Sequence, residues 1–189
     1  MKTIAIFCSS SEILAPEYYE TAKNVGTLLG KYGHSLVYGG SDLGLMKTVS
    51  GAARQAGAHC TGVIPQLLAD RGLACNKVDK QIITPGMHER KKMIEDLADA
   101  FVTLPGGFGT YEELLEVITL KQLGYHKKPI IILNTLGFYN NLLTQFDETY
   151  KQHFAKTFTT NVYEVCTSEE QIFEYINAYK VEQIPDKWY

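Results

Sequence analysis

Short β-branched runs alternate with helical periods along almost the whole chain, and that alternation restricts the fold more than any other feature. Mostly continuous apolar runs occupy 3–8, 35–38, 59–64, 81–84, 100–104, 130–133 and 162–166. Runs that lack polar alternation suit strands covered on both faces. Between them, apolar residues recur every three or four positions over 17–32, 45–56, 88–99, 111–123, 138–153 and 168–179. Gly33 and Gly57 follow the first two helical stretches as stops, and Thr167 with Glu170 suits a capping box before the last. Strand–helix alternation of this kind predicts βαβ units with right-handed crossovers. The fold class is therefore α/β: a Rossmann-like three-layer sandwich with a mostly parallel sheet of about seven strands. At 189 residues the chain suits one domain, 1–189, with 180–189 as a C-terminal tail. The longest irregular stretch is 65–80, a candidate loop over a site.

Charge and cysteine usage narrow the function classes. A net charge of −3 gives no pull toward nucleic acid or an anionic membrane, and no run reaches the ~18 apolar residues of a membrane span. Four cysteines lie far apart without a CxxC pair, and five histidines lack HxxH spacing. No metal site or disulfide framework is expected, and a reducing cytoplasm fits.

In a doubly wound sheet, ligands bind beyond the carboxyl ends of the strands, so the residues just after each strand carry the signal. After the first strand comes Cys8-Ser-Ser-Ser11, where Ser10 and its neighbours could bond a phosphate or sugar, or form only a polar turn. After the second comes Tyr38-Gly-Gly-Ser-Asp-Leu-Gly-Leu-Met46, in which Gly40 allows close backbone approach and Asp42 is a candidate helix cap. After the fifth comes Leu104-Pro-Gly-Gly-Phe-Gly-Thr-Tyr-Glu-Glu113. Amides of Gly106, Gly107, Gly109, Thr110 and Tyr111 could converge on a phosphate at a helix N-terminus. The same stretch reads as a capping box, with Thr110 as N-cap and Glu113 at the third helical position. Arg90 and Lys91, after the fourth strand, open a helix where the dipole disfavours cations, which points to an anion or to a solvated basic face.

The pairing of Met87-His-Glu-Arg-Lys91 with Pro105-Gly-Gly-Phe-Gly-Thr-Tyr-Glu-Glu113 resembles the M-x-x-R-K and P-G-G-x-G-T-x-x-E signature of the Lonely Guy (LOG) family. The resemblance runs from residue 1 to about 180. It implies a phosphoribohydrolase that cleaves the N-glycosidic bond of N6-substituted adenosine 5'-monophosphates. It also implies a homodimer or larger assembly with the site near a subunit interface. Carried over by motif position, Arg90 and Glu113 are the catalytic pair. Lys91, Gly107, Phe108, Gly109, Thr110 and Thr119 fall at nucleotide contacts, beside Gly106, Tyr111 and Glu112 of the same motif, and Met87 lies near the base. Hydrolysis needs no cofactor. The chain departs from the family pattern at Ser9, where glycine is frequent, and at Gly72, where a glutamate is common. A non-catalytic nucleotide-binding module is the alternative reading. Relatives often carry a lysine decarboxylase label, yet no lysine here stands out as the anchor that pyridoxal phosphate would require.

Overall fold

A computed structural model describes residues 1–156 and 162–181. Seven strands form one sheet: β1 (Thr3–Phe7), β2 (Ser35–Tyr38), β3 (Cys60–Pro65), β4 (Lys80–Thr84), β5 (Ala100–Thr103), β6 (Ile130–Leu133) and β7 (Glu164–Cys166). The order is β4-β3-β2-β1-β5-β6-β7, and every neighbouring pair is parallel. The chain steps outward from β1 to β4, then returns and resumes on the other side of β1. The order therefore reverses between β1 and β5, and their carboxyl ends open a crevice at that switch point.

The period-2 geometry of strands sorts each apolar run onto two faces. Ile4, Ile6, Leu36, Tyr38, Ala100 and Val102 join one core with α1 (Pro16–Lys31), α2 (Gly44–Gln55) and α7 (Glu169–Ala178). Ala5, Phe7, Val37, Phe101, Ile130 and Ile132 join the other with α4 (Met87–Leu97) and α5 (Phe108–Gln122). Leu142, Leu143 and Phe146 of α6 (Asn140–Lys151) pack against that second core. The three-layer arrangement is thus the one that doubly buried strands require. Among the described residues, no helix is long and apolar enough to cross a membrane.

Several local expectations shift. The stretch 65–80 contains a short helix, α3 (Gln66–Asp70), which buries no residue and so leaves no apolar period to read. Helix α2 is capped by Leu43 without a side-chain bond, so Asp42 is not its cap. Helix α7 has a true capping box, one residue later than expected, with Ser168 as N-cap and Gln171 reaching back to the Ser168 N–H. The expected tail 180–189 lies outside the described residues beyond Val181.

The largest correction concerns α5. It begins at Phe108 with Gly107 as N-cap, so Thr110 is already inside the helix and the Thr110–Glu113 capping box does not exist. Gly107 is extended (φ −90°, ψ −160°), and the first helical bond runs from the Tyr111 N–H to the Gly107 carbonyl at 3.0 Å. Amides of Phe108, Gly109 and Thr110 precede that bond and have no partner within the helix.

Candidate active site

A cavity of about 450 Å³ opens at the switch point. One wall is polar: the serine turn Ser9–Ser11 after β1, the α5 start at Gly107, Gly109 and Thr110, and the side chains of Arg90 and Glu113. The other wall is apolar: Leu43 and Met46 around the α2 start, Ile64 of β3, Leu68 and Leu73 around α3, and Met87 of α4.

The polar wall is held by bonds between turns that are remote in sequence. The Ser9 N–H donates to the Pro105 carbonyl at 3.3 Å, and the Leu45 N–H donates to the Ser9 carbonyl at 3.0 Å. The Tyr139 hydroxyl, fully buried, donates to the Leu104 carbonyl at 2.8 Å and fixes the end of β5 from below. The Ser9 hydroxyl accepts from the Ser11 N–H at 3.0 Å, so Ser9 braces its own turn. Gly44, at φ +53°, sits against the same turn, where a Cβ would lie 2.4 Å from the Ser11 carbonyl oxygen. A side chain there would be both strained and obstructed.

Arg90 and Glu113 meet at the cavity floor. Both are almost fully buried, at 6% and 5% exposure, and an Arg90 guanidinium nitrogen donates to Glu113 Oε1. The Arg90 Nε also approaches the Val63 carbonyl at 3.4 Å. Burial pushes the Glu113 carboxyl above the ordinary carboxylate range, and the charge and hydrogen bond of Arg90 oppose that rise. The guanidinium lies over Gly39, where a Cβ would fall 2.0 Å from Nη2. Gly39 is therefore the residue that makes room for the pair. Cys8 also lines the cavity, but burial and then the Glu113 charge raise its thiol strongly, so it stays protonated and is no nucleophile.

The remaining residues read from the sequence divide into two sets. Met87, Arg90, Gly107, Gly109, Thr110, Glu113 and Ser10 line the cavity together. Gly106 lies beneath it and admits the Thr110 side chain, whose Oγ1 would be 2.1 Å from a Cβ at that position. Gly40, at φ +70°, packs on β3 next to the Val63 amide. Phe108 points outward at 90% exposure, edge-on to Tyr111, which stacks on Phe138. Lys91 turns away from the cavity to Glu112 and Glu116. Thr119 lies on the outer face of α5, beside Leu115 and Ile118 in a second, shallower groove of about 220 Å³. Gly72 (φ +74°) has open space around it and lies off the cavity wall, whereas its neighbour Leu73 lines it.

Sequence reasoning missed Gly39 and the apolar wall. The Tyr-Gly-Gly spelling was a signal for Gly39, but its reason is the guanidinium of a residue 51 positions later. Leu68 and Leu73 lacked any signal, because the first lies in a short helix that buries no residue and the second just beyond it.

The family model described as possible lysine decarboxylase matches residues 46–176. The cytokinin riboside 5'-monophosphate phosphoribohydrolase LOG of Oryza sativa subsp. japonica is 40% identical over 184 residues, covering 95% of this chain and 76% of its own. LOG7 of Arabidopsis thaliana, which carries the same activity in its name, is 39% identical over 96% of this chain and 83% of its own. Among solved structures, the molybdenum cofactor binding protein from Rippkaea orientalis superposes with a TM-score of 0.72 at 22% identity. That match covers 94% of this chain and 96% of the other. At that identity the likeness speaks to the fold alone.

Proposed function

The chain belongs to the LOG family, and from that premise we propose that it hydrolyses the N-glycosidic bond of N6-substituted adenosine 5'-monophosphates to free base and ribose 5-phosphate, at the cavity between β1 and β5. The observation that carries the assignment is a buried Arg–Glu pair facing a cavity with one polar and one apolar wall. The activity itself is supported by curated relatives at 38–40% identity over most of the chain.

The phosphate sits at the α5 start, where the amides of Phe108, Gly109 and Thr110 and the positive end of a 15-residue helix converge. Ser10 lines the same cavity. The base and its apolar N6 substituent take the wall of Leu43, Met46, Ile64, Leu68, Leu73 and Met87. That wall removes apolar surface from water without asking for hydrogen bonds. The ribose then lies over Glu113. Water attacks the anomeric carbon and Glu113 takes a proton from it; the bonding pair of the glycosidic bond leaves with the base, which takes up one proton from solvent, and Glu113 releases an equivalent proton to restore its carboxylate. A carboxyl raised by burial is a stronger base than an exposed glutamate, which suits this role. Its charge also stabilises the positive sugar of the transition state. Arg90 stays charged, orients Glu113 and cannot act as the acid. Fixing the phosphate places the ribose for reaction and explains a preference for monophosphate over nucleoside.

The chain acts as one nucleotide-binding domain. We place it in a reducing cytoplasm, supported by four buried free thiols. A homodimer or larger assembly is supported by the partly exposed Leu115 on α5, in the groove of Thr119, and Leu123 just after the helix. The deciding experiment measures free base released from isopentenyladenosine 5'-monophosphate, AMP and the corresponding nucleosides, with Arg90→Ala and Glu113→Ala in parallel. Release from the monophosphates that both variants abolish is the expected result. Binding of the monophosphates without turnover would establish a non-catalytic module instead.

A further inference from the structure

The glycine turn between β5 and α5 has little packing of its own. A Cβ at Gly107 or at Gly109 would meet no neighbouring element within 4 Å, so no side chain presses on the turn at either position. Gly106, Gly107 and Gly109 also give the free chain many conformations to lose on ordering. The shape of the turn is therefore set by what grips its two flanks.

Tyr139 grips both. Its hydroxyl donates to the Leu104 carbonyl, just past β5, at 2.8 Å. Its ring stands edge-on to that of Tyr111, in the first turn of α5, with centroids 6.0 Å apart. One fully buried side chain thus spans the turn from residue 104 to residue 111, and it does so from outside the cavity, whose wall it does not join. From the β1 side, the longer Ser9–Pro105 bond of 3.3 Å holds the next carbonyl.

Tyr139 is itself anchored. Its N–H donates to Asn134 Oδ1 at 2.8 Å, and Asn134 Nδ2 donates to Asn140 Oδ1 at 2.8 Å. The Asn134 N–H donates to the Cys166 carbonyl at the end of β7 at 2.8 Å. Between Asn134 and Tyr139 the chain bends through Leu136 at φ +53° and Gly137 at φ +72°. A left-handed conformation is costly for a leucine, and this one is 70% exposed, so its own packing does not offset the cost. The bend returns the chain to the point from which Tyr139 reaches Leu104.

We infer that Tyr139 is a positioning residue for phosphate recognition: with Asn134 it braces the glycine turn from behind, so that the amides of Phe108, Gly109 and Thr110 are preset for the anion. A preset turn has no ordering cost left at the moment of binding, so loss of the brace falls on the phosphate's share of the affinity. The apolar wall stands on the α2 start, β3, the α3 region and α4, and does not feel it. Burial raises the Tyr139 phenol far above its ordinary value, so it remains a donor at neutral pH.

The kinetic test rests on the hydrolase reading above and compares AMP and isopentenyladenosine 5'-monophosphate with their nucleosides. Tyr139→Phe keeps the ring against Tyr111 and removes the bond to Leu104. KM for the monophosphates rises about 5-fold, kcat falls less than about 2-fold, and kcat/KM for the nucleosides stays within about 2-fold. Equal losses on nucleosides and monophosphates would show a merely structural residue, and a fall in kcat alone would place Tyr139 in the chemistry. Either result overturns the inference.

A binding measurement does not depend on turnover. In a Glu113→Gln background, titration calorimetry gives the Kd of AMP and of adenosine. Adding Tyr139→Phe weakens AMP about 5-fold and leaves adenosine within about 2-fold, and an unchanged ratio overturns the inference. Asn134→Ala releases the Tyr139 N–H and shifts the same ratio about 3-fold, whereas Asn134→Asp keeps an acceptor there and recovers it. That pair decides the matter if Tyr139→Phe does not fold, and an unchanged ratio in Asn134→Ala then overturns the brace. Absence of base from every monophosphate would sink the hydrolase reading alone, and the AMP-to-adenosine ratio would still decide the brace.

Discussion

Arg90 and Lys91 are consecutive on α4, both are buried, and both meet a glutamate of α5, yet they stand in different electrostatic situations. The partner of Arg90 is itself almost fully buried, and the pair faces an open cavity. The partners of Lys91 reach solvent, with side-chain exposures of 54% for Glu112 and 35% for Glu116. A helix turns 100° per residue, so one step along α4 moves a cation from the cavity to Glu112 and Glu116 on the outer side of α5. The contrast teaches that burial of a charge does not by itself identify a catalytic group. Its partner's access to water and the space in front of it do.

The largest effect that would break this comparison is catalytic. Glu113→Gln should lower base release by about 10²–10⁴-fold, the usual worth of a positioned acid–base group. A loss no greater than that of Lys91→Met would erase the distinction. Chromatography of the free base under single-turnover conditions reads it directly.

Stability separates the two cations next. Arg90→Met strands Glu113 in the interior and should cost about 3–5 kcal/mol above neutral pH, the range for removing one partner of a buried pair. Lys91→Met leaves carboxylates that water can reach and should cost about 1 kcal/mol or less. Urea unfolding of both variants at one pH gives the ranking, and equal losses would break it.

Gly39→Ala sharpens the comparison from the other side. The new Cβ would fall 2.0 Å from the Arg90 Nη2, at the movable end of a side chain. The guanidinium should be shifted from its position on Glu113, with base release down about 10-fold and stability lowered by about 1–3 kcal/mol, less than for Arg90→Met. Steady-state kinetics and thermal melts on the same preparation separate the two effects.

A smaller effect lies away from the cavity. The neutral His126 ring is satisfied at both nitrogens: it accepts the Lys128 N–H at 3.2 Å and contacts the Val117 carbonyl at 2.9 Å. Burial holds its pKa down to about 4. Stability from this ring is therefore present above 6.5 and lost as pH falls toward 4, and His126→Gln should flatten that part of the melting curve. The Glu95 carboxyl, which burial pushes up to about 7, has the opposite sign, so the two groups can be told apart in one pH series. The smallest effect expected is that of Phe108→Ala, which exposes nothing new at a site already 90% open and should change stability by less than about 0.5 kcal/mol.

The sheet was legible in the sequence because buried parallel strands announce themselves as unbroken apolar runs, and all seven were found within about two residues. The α5 start was misread for a definite reason. The Thr-x-x-Glu spelling of a capping box moved the expected N-cap to Thr110. The early start leaves the amides of Phe108, Gly109 and Thr110 without a partner in the helix, at an end where Gly107, Gly109 and Thr110 line the cavity. Arg90 and Glu113 were legible as a motif pair, but their contact spans 23 residues and only the fold brings it about. The apolar wall stayed invisible, since half-buried leucines in a short turn follow no period. The outward direction of Lys91 was equally hidden, because a basic residue in a first helical turn looks the same whether it serves a ligand or a neighbouring helix.

The strand order has a consequence for how the chain comes to be folded. β1 lies in the middle of the sheet, but its two neighbours are separated by more than sixty residues: β2 begins at Ser35 and β5 at Ala100. A chain released from its N-terminus can pair β1 through β4 early, and until β5 arrives β1 is an open edge with unpaired backbone groups. Its apolar face toward the second core is likewise uncovered until α4 and α5 follow. The late-arriving strand that ends this exposure is the one that carries the glycine turn, so the strand that closes the β1 edge also completes the cavity. A fragment ending before Ala100 would keep four paired strands and expose a sticky edge, and it would lack Gly107, Gly109, Thr110 and Glu113 of the cavity lining.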